Sequence, residues 1–479
     1  MDMKQLLQRM RAAVLTEKES IVASLMHLVE IPSVAEDGVG DCPLGEGVQR
    51  ALAEATALAE RLGATKTALC GRYAYADFGK IEDGTAYIGI FTHLDVVPAG
   101  EGWLKSAPFT PTLDGGALYG RGTKDDKAGA VEALYALSAI RAAGLMLTHP
   151  VRVFFGGDEE RGMSDMEAFL ADTPVLPVLS LVPDADYPVS LGEKGICHLE
   201  IETPPLRTVR DMRGGMATNI VTAECEVKFA YDEPLLSELE DKIRGREGYH
   251  LSYGDDEICL KTVGIPAHAS KPQGSKNATL MAASLLAACH TLHSADRAVF
   301  RALAKLFADD YGTALLLAHE DTRFGRLTAT GGTVAFKDCR AYLSLDVRYG
   351  TELAPECLEE RVKSAVHELG GLFGIRVIEN RAGFHIPEDS AASTLLLTVY
   401  REASGDALAT PYYMGGGTYA RELPNAYSIG TAAGYVGTRP HLPEGHGMIH
   451  GKDEYILIDA LTESTALLAT MTVLCDGSL

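Results

Sequence analysis

The strongest constraint on this fold is a set of short apolar runs, each stopping at a cluster of histidine or acidic residues. Residues 86–91 (AYIGIF) lead into Thr92-His93-Leu94-Asp95, and residues 151–155 (VRVFF) lead into GGDEERG, which carries Asp158, Glu159, Glu160 and Arg161. Residues 178–182 (VLSLV) lead into Pro183-Asp184-Ala185-Asp186. Helix-forming stretches lie between these runs: 49–62, ended by Gly63, and 126–143, closed by Gly144 as a C-cap. Strands separated by helices predict an α/β architecture, with a mixed, largely parallel sheet flanked by helices.

The pattern changes after Gly192. Strands are expected at 197–202, 223–229, 258–263 and 341–347, and helices at 234–243, 278–292 and 356–369. This middle segment reads as α+β, and its element order suggests two similar, ferredoxin-like units in tandem without a residue-level repeat. After Glu388 a helix–turn–helix pattern resumes and ends with 456–474. The expected organisation is one domain in two segments, 1–193 and 384–479, with a large lid domain, 194–383, inserted between them. A chain of 479 residues is long enough for about two to four domains.

Charge and cysteine usage exclude several classes of partner. A formal net charge of −23 argues against nucleic acid or an anionic membrane surface, both of which reward lysine and arginine. Residues 1–15 lack the apolar stretch and cleavage site of a signal peptide, and no later run is expected to span a bilayer. Nine cysteines without a CxxC pair fit reduced thiols in a cytoplasm and argue against a thiolate zinc site.

The chemistry is concentrated at the ends of the runs. In extended backbone His93 and Asp95 face the same side, so one ring nitrogen can meet a metal while Asp95 fixes the other; a buried histidine with a satisfying carboxylate reads the same way. In GRGTKDDK (Gly120 to Lys127), Asp125 or Asp126 can cap the following helix. The Gly-Lys-[Ser/Thr] ending of a phosphate loop is absent. Adjacent Glu159 and Glu160 repel unless a cation compensates them, and suit two jobs, one ligating metal and the other moving a proton. Turns carrying His, Asp, Glu and Asp in succession point to one shared site, because ligands gather at the carboxyl ends of strands in α/β sheets. A further histidine is available at His441, His446 or His450, the last placed by sequence at the entrance of the final helix. His-Glu-x-x-His is absent, which removes the single-zinc protease reading.

The ordered set FTHLDVVP, GRGTKDDK, GGDEERG, PDAD and MIHGKDEY resembles the co-catalytic di-zinc amidohydrolases, which include aminoacylases, carboxypeptidases and dipeptidases. GEKG (192–195), TNIV (218–221), AHASKPQGSKNA (267–278) and GGGTYAR (415–421) resemble most the bacterial Xaa-His, carnosine-type dipeptidases. The resemblance covers essentially the whole chain. It implies two divalent ions, Zn²⁺ foremost with Mn²⁺ or Co²⁺ also fitting. His93, Asp125, Glu160, Asp184 and His450 would be their ligands, with Asp125 bridging. It implies Glu159 as general base and acid, Asp95 as the partner of His93, and His268 with Asn219 at the oxyanion. Arg348 would grip the substrate's C-terminal carboxylate, and Gly416, Gly417 and Thr418 would add backbone donors. A small peptide substrate is implied, with no nucleic-acid or membrane partner. Relatives with a short lid pair through it; the longer insertion here is expected to leave the chain a monomer, with His268 acting in its own chain. The alternatives are a deacylase of N-acyl amino acids (acetylornithine or succinyl-diaminopimelate type) and a catalytically dead relative. Asp158 and Arg161 flank the glutamates and could alter which substrate end is tolerated.

Overall fold

A computed structural model describes residues 2–368 and 373–479. The chain divides into two compact units: Met1–Leu191 with Ile386–Tyr412 and Thr418–Leu479, and Gly192–His385 with Tyr413–Gly417. The GGG stretch thus groups with the second unit, although it follows residue 384.

The first unit is built on a mixed sheet. Val151–Gly156, Ile88–His93, Leu179–Ala185 and Ala426–Gly430 run parallel through its middle, while Lys66–Leu69 and Tyr73–Phe78 add antiparallel strands on one flank. Ile88–His93 and Val151–Gly156 are buried at every position. Strands covered on both faces need continuous apolar runs rather than alternation, which is why the sequence shows them as blocks. The helix Lys127–Ala142 is buried from Lys127 through Ile140, and its alanines and Gly129 let it lie close to neighbouring backbone. It packs on the C-terminal helix Ile458–Asp476. By length and composition alone Ile458–Asp476 is apolar enough to cross a membrane, contrary to the sequence expectation, but it is mostly buried within the protein and is a core helix.

Several strands were not foreseen, among them one in the parallel core of this sheet. The segment after Glu388 contains the helix Ala391–Ser404, but Ala426–Gly430 (AYSIG) is a strand parallel to Leu179–Ala185, where a helix–turn–helix was expected. A five-residue apolar run is too short for its period to separate strand from buried helix.

The second unit carries one eight-stranded antiparallel sheet, ordered Tyr249–Tyr253, Glu257–Val263, Glu224–Ala230, Val209–Gly214, Thr328–Lys337, Arg340–Tyr349, Gly195–Glu202, Gly374–Arg381. Its two halves meet at the single pair Gly214↔Val334. Gly195–Glu202 alternates buried and half-buried residues, so Cys197, Leu199 and Ile201 face a core that also holds Phe300 and Leu303. The helix expected over 278–292 ends at Leu286, and Ser294–Leu306 follows as a second helix that was not foreseen. The second is capped by the His293 ring, which accepts from the Ala295 amide at 3.1 Å. The helix expected over 356–369 is Pro355–Glu368; Leu369 lies outside the described residues.

Candidate metal centre

Parallel pairing fixes the geometry of the first unit's strand ends. His93 lies opposite Gly156, so the acidic turn after Val151–Gly156 starts beside the histidine. His93 Nδ1 is 3.0 Å from the backbone oxygen of Asp95 and 3.4 Å from its Oδ1. The main chain, as much as the carboxylate, therefore orients the ring. His93 Nε2 then faces Asp125 Oδ1 at 3.0 Å and Asp184 Oδ1 at 3.8 Å. The other oxygen of Asp125 lies 3.0 Å from His450 Nε2, which is 3.0 Å from Glu160 Oε1. Asp125 thus sits between two histidines, each with a further carboxylate. Asp126, named from sequence only as a possible helix cap, makes no side-chain cap bond; it borders the group and accepts from the His93 amide at 3.3 Å.

The donor set fits cations. Glu160 Oε1, His450 Nε2 and Asp126 Oδ1 are buried without a hydrogen-bond partner, although the first two are only 3.0 Å apart. Lone pairs converging without bonding one another are what a cation satisfies. Burial pushes the carboxyls of Glu159, Glu160 and Asp184 above their usual range, and neighbouring carboxylates push them further. Burial would lower the His450 pKa, yet Asp125 and Glu160 raise it to about 11. His93 is likewise held well above its ordinary value against burial, by Asp125 and Asp95. Such a cluster retains protons that a cation would displace. Imidazole and carboxylate oxygen without thiolate suit Zn²⁺, Mn²⁺ or Co²⁺.

Carboxylates behind the cluster position its loops. Both oxygens of Asp95 accept backbone amides, from Glu159 at 3.2 Å and Glu160 at 3.0 Å. Glu454 accepts from the amides of Gly122, Lys124 and Asp125 and from Arg121 Nη1 at 2.6 Å, while Arg121 Nη2 donates to the His450 carbonyl. Asp165 accepts from the Gly157 and Asp158 amides and from the Tyr419 hydroxyl. Sequence reasoning missed Glu454 and Asp165, because their partners are main-chain groups that no residue pattern displays. Asp158 is engaged by Arg161 Nε and by Ser164, so its charge is spent inside the turn.

His450 does not stand at a helix entrance: the strand Tyr455–Leu457 separates it from Ile458–Asp476. His446 Nδ1 is held by Asp453 Oδ2 at 2.5 Å, and His441 is exposed.

The second unit brings its own predicted residues together. Ile220 bridges to His268, and the Ala269 amide donates to the Asn219 carbonyl at 2.8 Å. The Ser270 amide donates to His268 Nδ1 at 3.2 Å, which puts the neutral ring's proton on Nε2. Arg348 donates from Nε and Nη2 to Asp346 at 2.6 and 2.8 Å, and from Nη1 to the Gly415 carbonyl at 3.4 Å. Gly415 precedes Gly416 and Gly417 and lies so close to Ser270 that an added Cβ would come within 2.6 Å of it. Thr418 belongs to the first unit, buried, its hydroxyl on Ser428 and capping the short helix Tyr419–Glu422.

The model of Peptidase family M20/M25/M40 matches residues 89–473, from the first strand at the site to the last helix. The chain belongs to this family. The M20 peptidase described here is 30% identical over 470 residues to a Bacillus subtilis protein named "Putative dipeptidase YtjP", covering 95% of this chain and 97% of the relative. It is 27% identical over 465 residues to a Staphylococcus aureus (strain USA300) protein of the same description, covering 94% and 96%. Among solved structures, human carnosine dipeptidase 1 superposes with a TM-score of 0.60 at 16% identity, covering 98% and 99% of the chains. The di-peptidase Dug1p from Saccharomyces cerevisiae superposes at 0.62 and 13% identity, covering 98% of each. These structures share its fold. The M20 peptidase is a metal-dependent hydrolase with dipeptidase-like relatives.

Proposed function

We propose that this M20 peptidase is a cytoplasmic dipeptidase that holds two divalent ions, Zn²⁺ foremost, and cleaves dipeptides with a free C-terminal carboxylate. The observation that carries the reading is Asp125, with one oxygen 3.0 Å from His93 and the other 3.0 Å from His450, while His93 also faces Asp184 and His450 also faces Glu160. On this reading His93 and Asp184 would hold one ion and His450 and Glu160 the other, with Asp125 available to both. When bound, the ions make water a better nucleophile at neutral pH, polarise the scissile carbonyl and stabilise its developing charge.

The remaining work belongs to side chains. Glu159, its backbone pinned by Asp95, takes a proton from the attacking water and returns one to the leaving amine. His268, with its proton on Nε2, and Asn219 donate to the oxyanion. Arg348 takes the substrate carboxylate with its planar fork, a role lysine would fill poorly, and Gly416, Gly417 and Thr418 contribute backbone donors. Free thiols at all nine cysteines agree with a reducing compartment.

A deacylase of N-acyl amino acids would use the same centre. The two are separated by kcat/KM of the metal-loaded protein across dipeptides, tripeptides and N-acyl amino acids. Dipeptides should lead; a clear preference for acetyl or succinyl amino acids would overturn the dipeptidase reading.

A further inference from the structure

We propose that His198 is a positioning residue for substrate recognition: its imidazolium holds Asp346, and Asp346 sets the guanidinium of Arg348. The proposal rests on the reading of Arg348 as the carboxylate-binding residue and concerns what stands behind it. Three adjacent strands of the second unit carry the parts in register. Asp346 lies opposite His198, and His198 opposite Glu379. Two residues along, on the same face, the row reads Arg348, Ile196, Arg381. His198 Nε2 is 3.1 Å from Asp346 Oδ2, and its Nδ1 is 3.2 Å from Glu379 Oε2. A carboxylate at each ring nitrogen asks both to donate, which only the protonated ring can do. Burial opposes that charge, but Asp346 and Glu379 overcome it and raise the pKa to about 9.

Asp346 is the middle link. It is fully buried, and burial alone would raise its pKa; Arg348 and His198 instead hold it below the ordinary value. Its two oxygens clamp the Nε–Nη2 edge of Arg348. The Nη1–Nη2 edge, from which Nη1 also reaches the Gly415 carbonyl at 3.4 Å, is what a ligand can meet, on a residue only 4% exposed and therefore stiff. A fixed edge suits bidentate capture of a carboxylate. Arg381 Nε, at 2.5 Å from Glu379 Oε1, neutralises the far side of the row. The charged groups facing His198 are thus Asp346 and Glu379, with Arg348 and Arg381 behind them on one side and the Glu200–Arg376 pair two residues along on the other. Once His198 is neutral it can donate to only one carboxylate. Among the described residues Asp346 is then left with Arg348 as its one cation, and the arginine is drawn from its aligned position. Recognition of the carboxylate weakens while the chemistry of the peptide bond is untouched.

The test compares a dipeptide with its C-terminal amide on metal-loaded enzyme, from about pH 6 to about pH 10, a range that spans both histidine states. In the wild type, KM for the free-carboxylate substrate should rise relative to the amide above about pH 9. The sign follows from the proton: binding is strongest below that pH and weakens as pH climbs through it. His198→Gln should raise KM for the carboxylate substrate about tenfold at neutral pH, the worth of a charge-assisted bond. It should leave kcat and the amide kinetics alone and abolish the pH break. Glu379→Gln keeps the ring but removes one carboxylate, so the break should move down by about one pH unit. This variant decides the matter if His198→Gln does not fold. Arg348→Ala is the control for the underlying reading, and equal loss on both substrates would remove the carboxylate role of Arg348 itself. If Arg348→Ala selectively damages the carboxylate substrate, an unchanged KM in His198→Gln or an unmoved break in Glu379→Gln overturns the role of His198 alone.

Discussion

Glu159 and Glu160 are neighbours in the chain with different surroundings. Glu160 Oε1 points at His450 Nε2 without bonding it, the posture of a ligand, whereas among the described residues Glu159 is in no group of side chains placed to hold a metal ion. Glu159→Gln is therefore expected to keep wild-type metal content while turnover falls roughly 10²- to 10⁴-fold, the usual worth of general acid–base catalysis; loss of metal by elemental analysis would show the two roles to be exchanged. Glu454 tests the next layer out. It gathers three amides and Arg121 around the loop carrying Asp125, so Glu454→Gln should weaken metal binding about 10- to 100-fold in a competition titration. Unchanged affinity would reduce Glu454 to a purely structural residue. At this scale the residue types His, Asp and Glu at run ends were legible because side chains carry their chemistry. Glu454 and Asp165 were not, since what they bind is main chain, and the sequence does not say which amides face which carboxylate.

Turns at strand ends bring these residues within reach, and their tolerance is narrow. Gly156 ends Val151–Gly156 against the Tyr419 hydroxyl and Asp165, and a Cβ there would fall within 1.8 Å of the tyrosine oxygen. Gly156→Ala must displace that hydrogen-bonded pair. A destabilisation of about 1–3 kcal/mol, as for an overpacked core, is expected, read as a lower midpoint in denaturant; a neutral result would mean the turn adapts freely. Long periodic elements were legible, as at Lys127–Ala142, because burial on most faces leaves a continuous apolar signature. The short strand Ala426–Gly430 was not: its identity comes from pairing with Leu179–Ala185, a contact far away in sequence. The helix Ser294–Leu306 escaped because its start is marked by a His293 ring accepting the Ala295 amide, a local hydrogen bond rather than one of the usual capping residues.

For the whole molecule, metal and stability should be linked. The buried carboxylates of the centre repel one another without cations, so chelation is expected to lower the thermal midpoint as well as abolish hydrolysis. Zn²⁺, Mn²⁺ or Co²⁺ should restore both, and full turnover by metal-free protein would overturn the proposal. The proposed monomer is checked by sedimentation; an obligate dimer whose activity returns on mixing His268→Ala with Glu159→Gln subunits would refute it. The discontinuity of the first unit has a further consequence for synthesis on the ribosome. His93, Asp125, Glu160 and Asp184 emerge early, but His450 and the strand that covers Leu179–Ala185 emerge only after the entire second unit. The nascent first segment must therefore wait with an unpaired parallel edge and an acidic cluster lacking one histidine. The second unit, nearly continuous in the chain, is free to fold during that interval. Stalled or truncated chains ending before Ala426 should accumulate as aggregation-prone species with a folded second unit, exposing the sheet edge that the finished enzyme conceals.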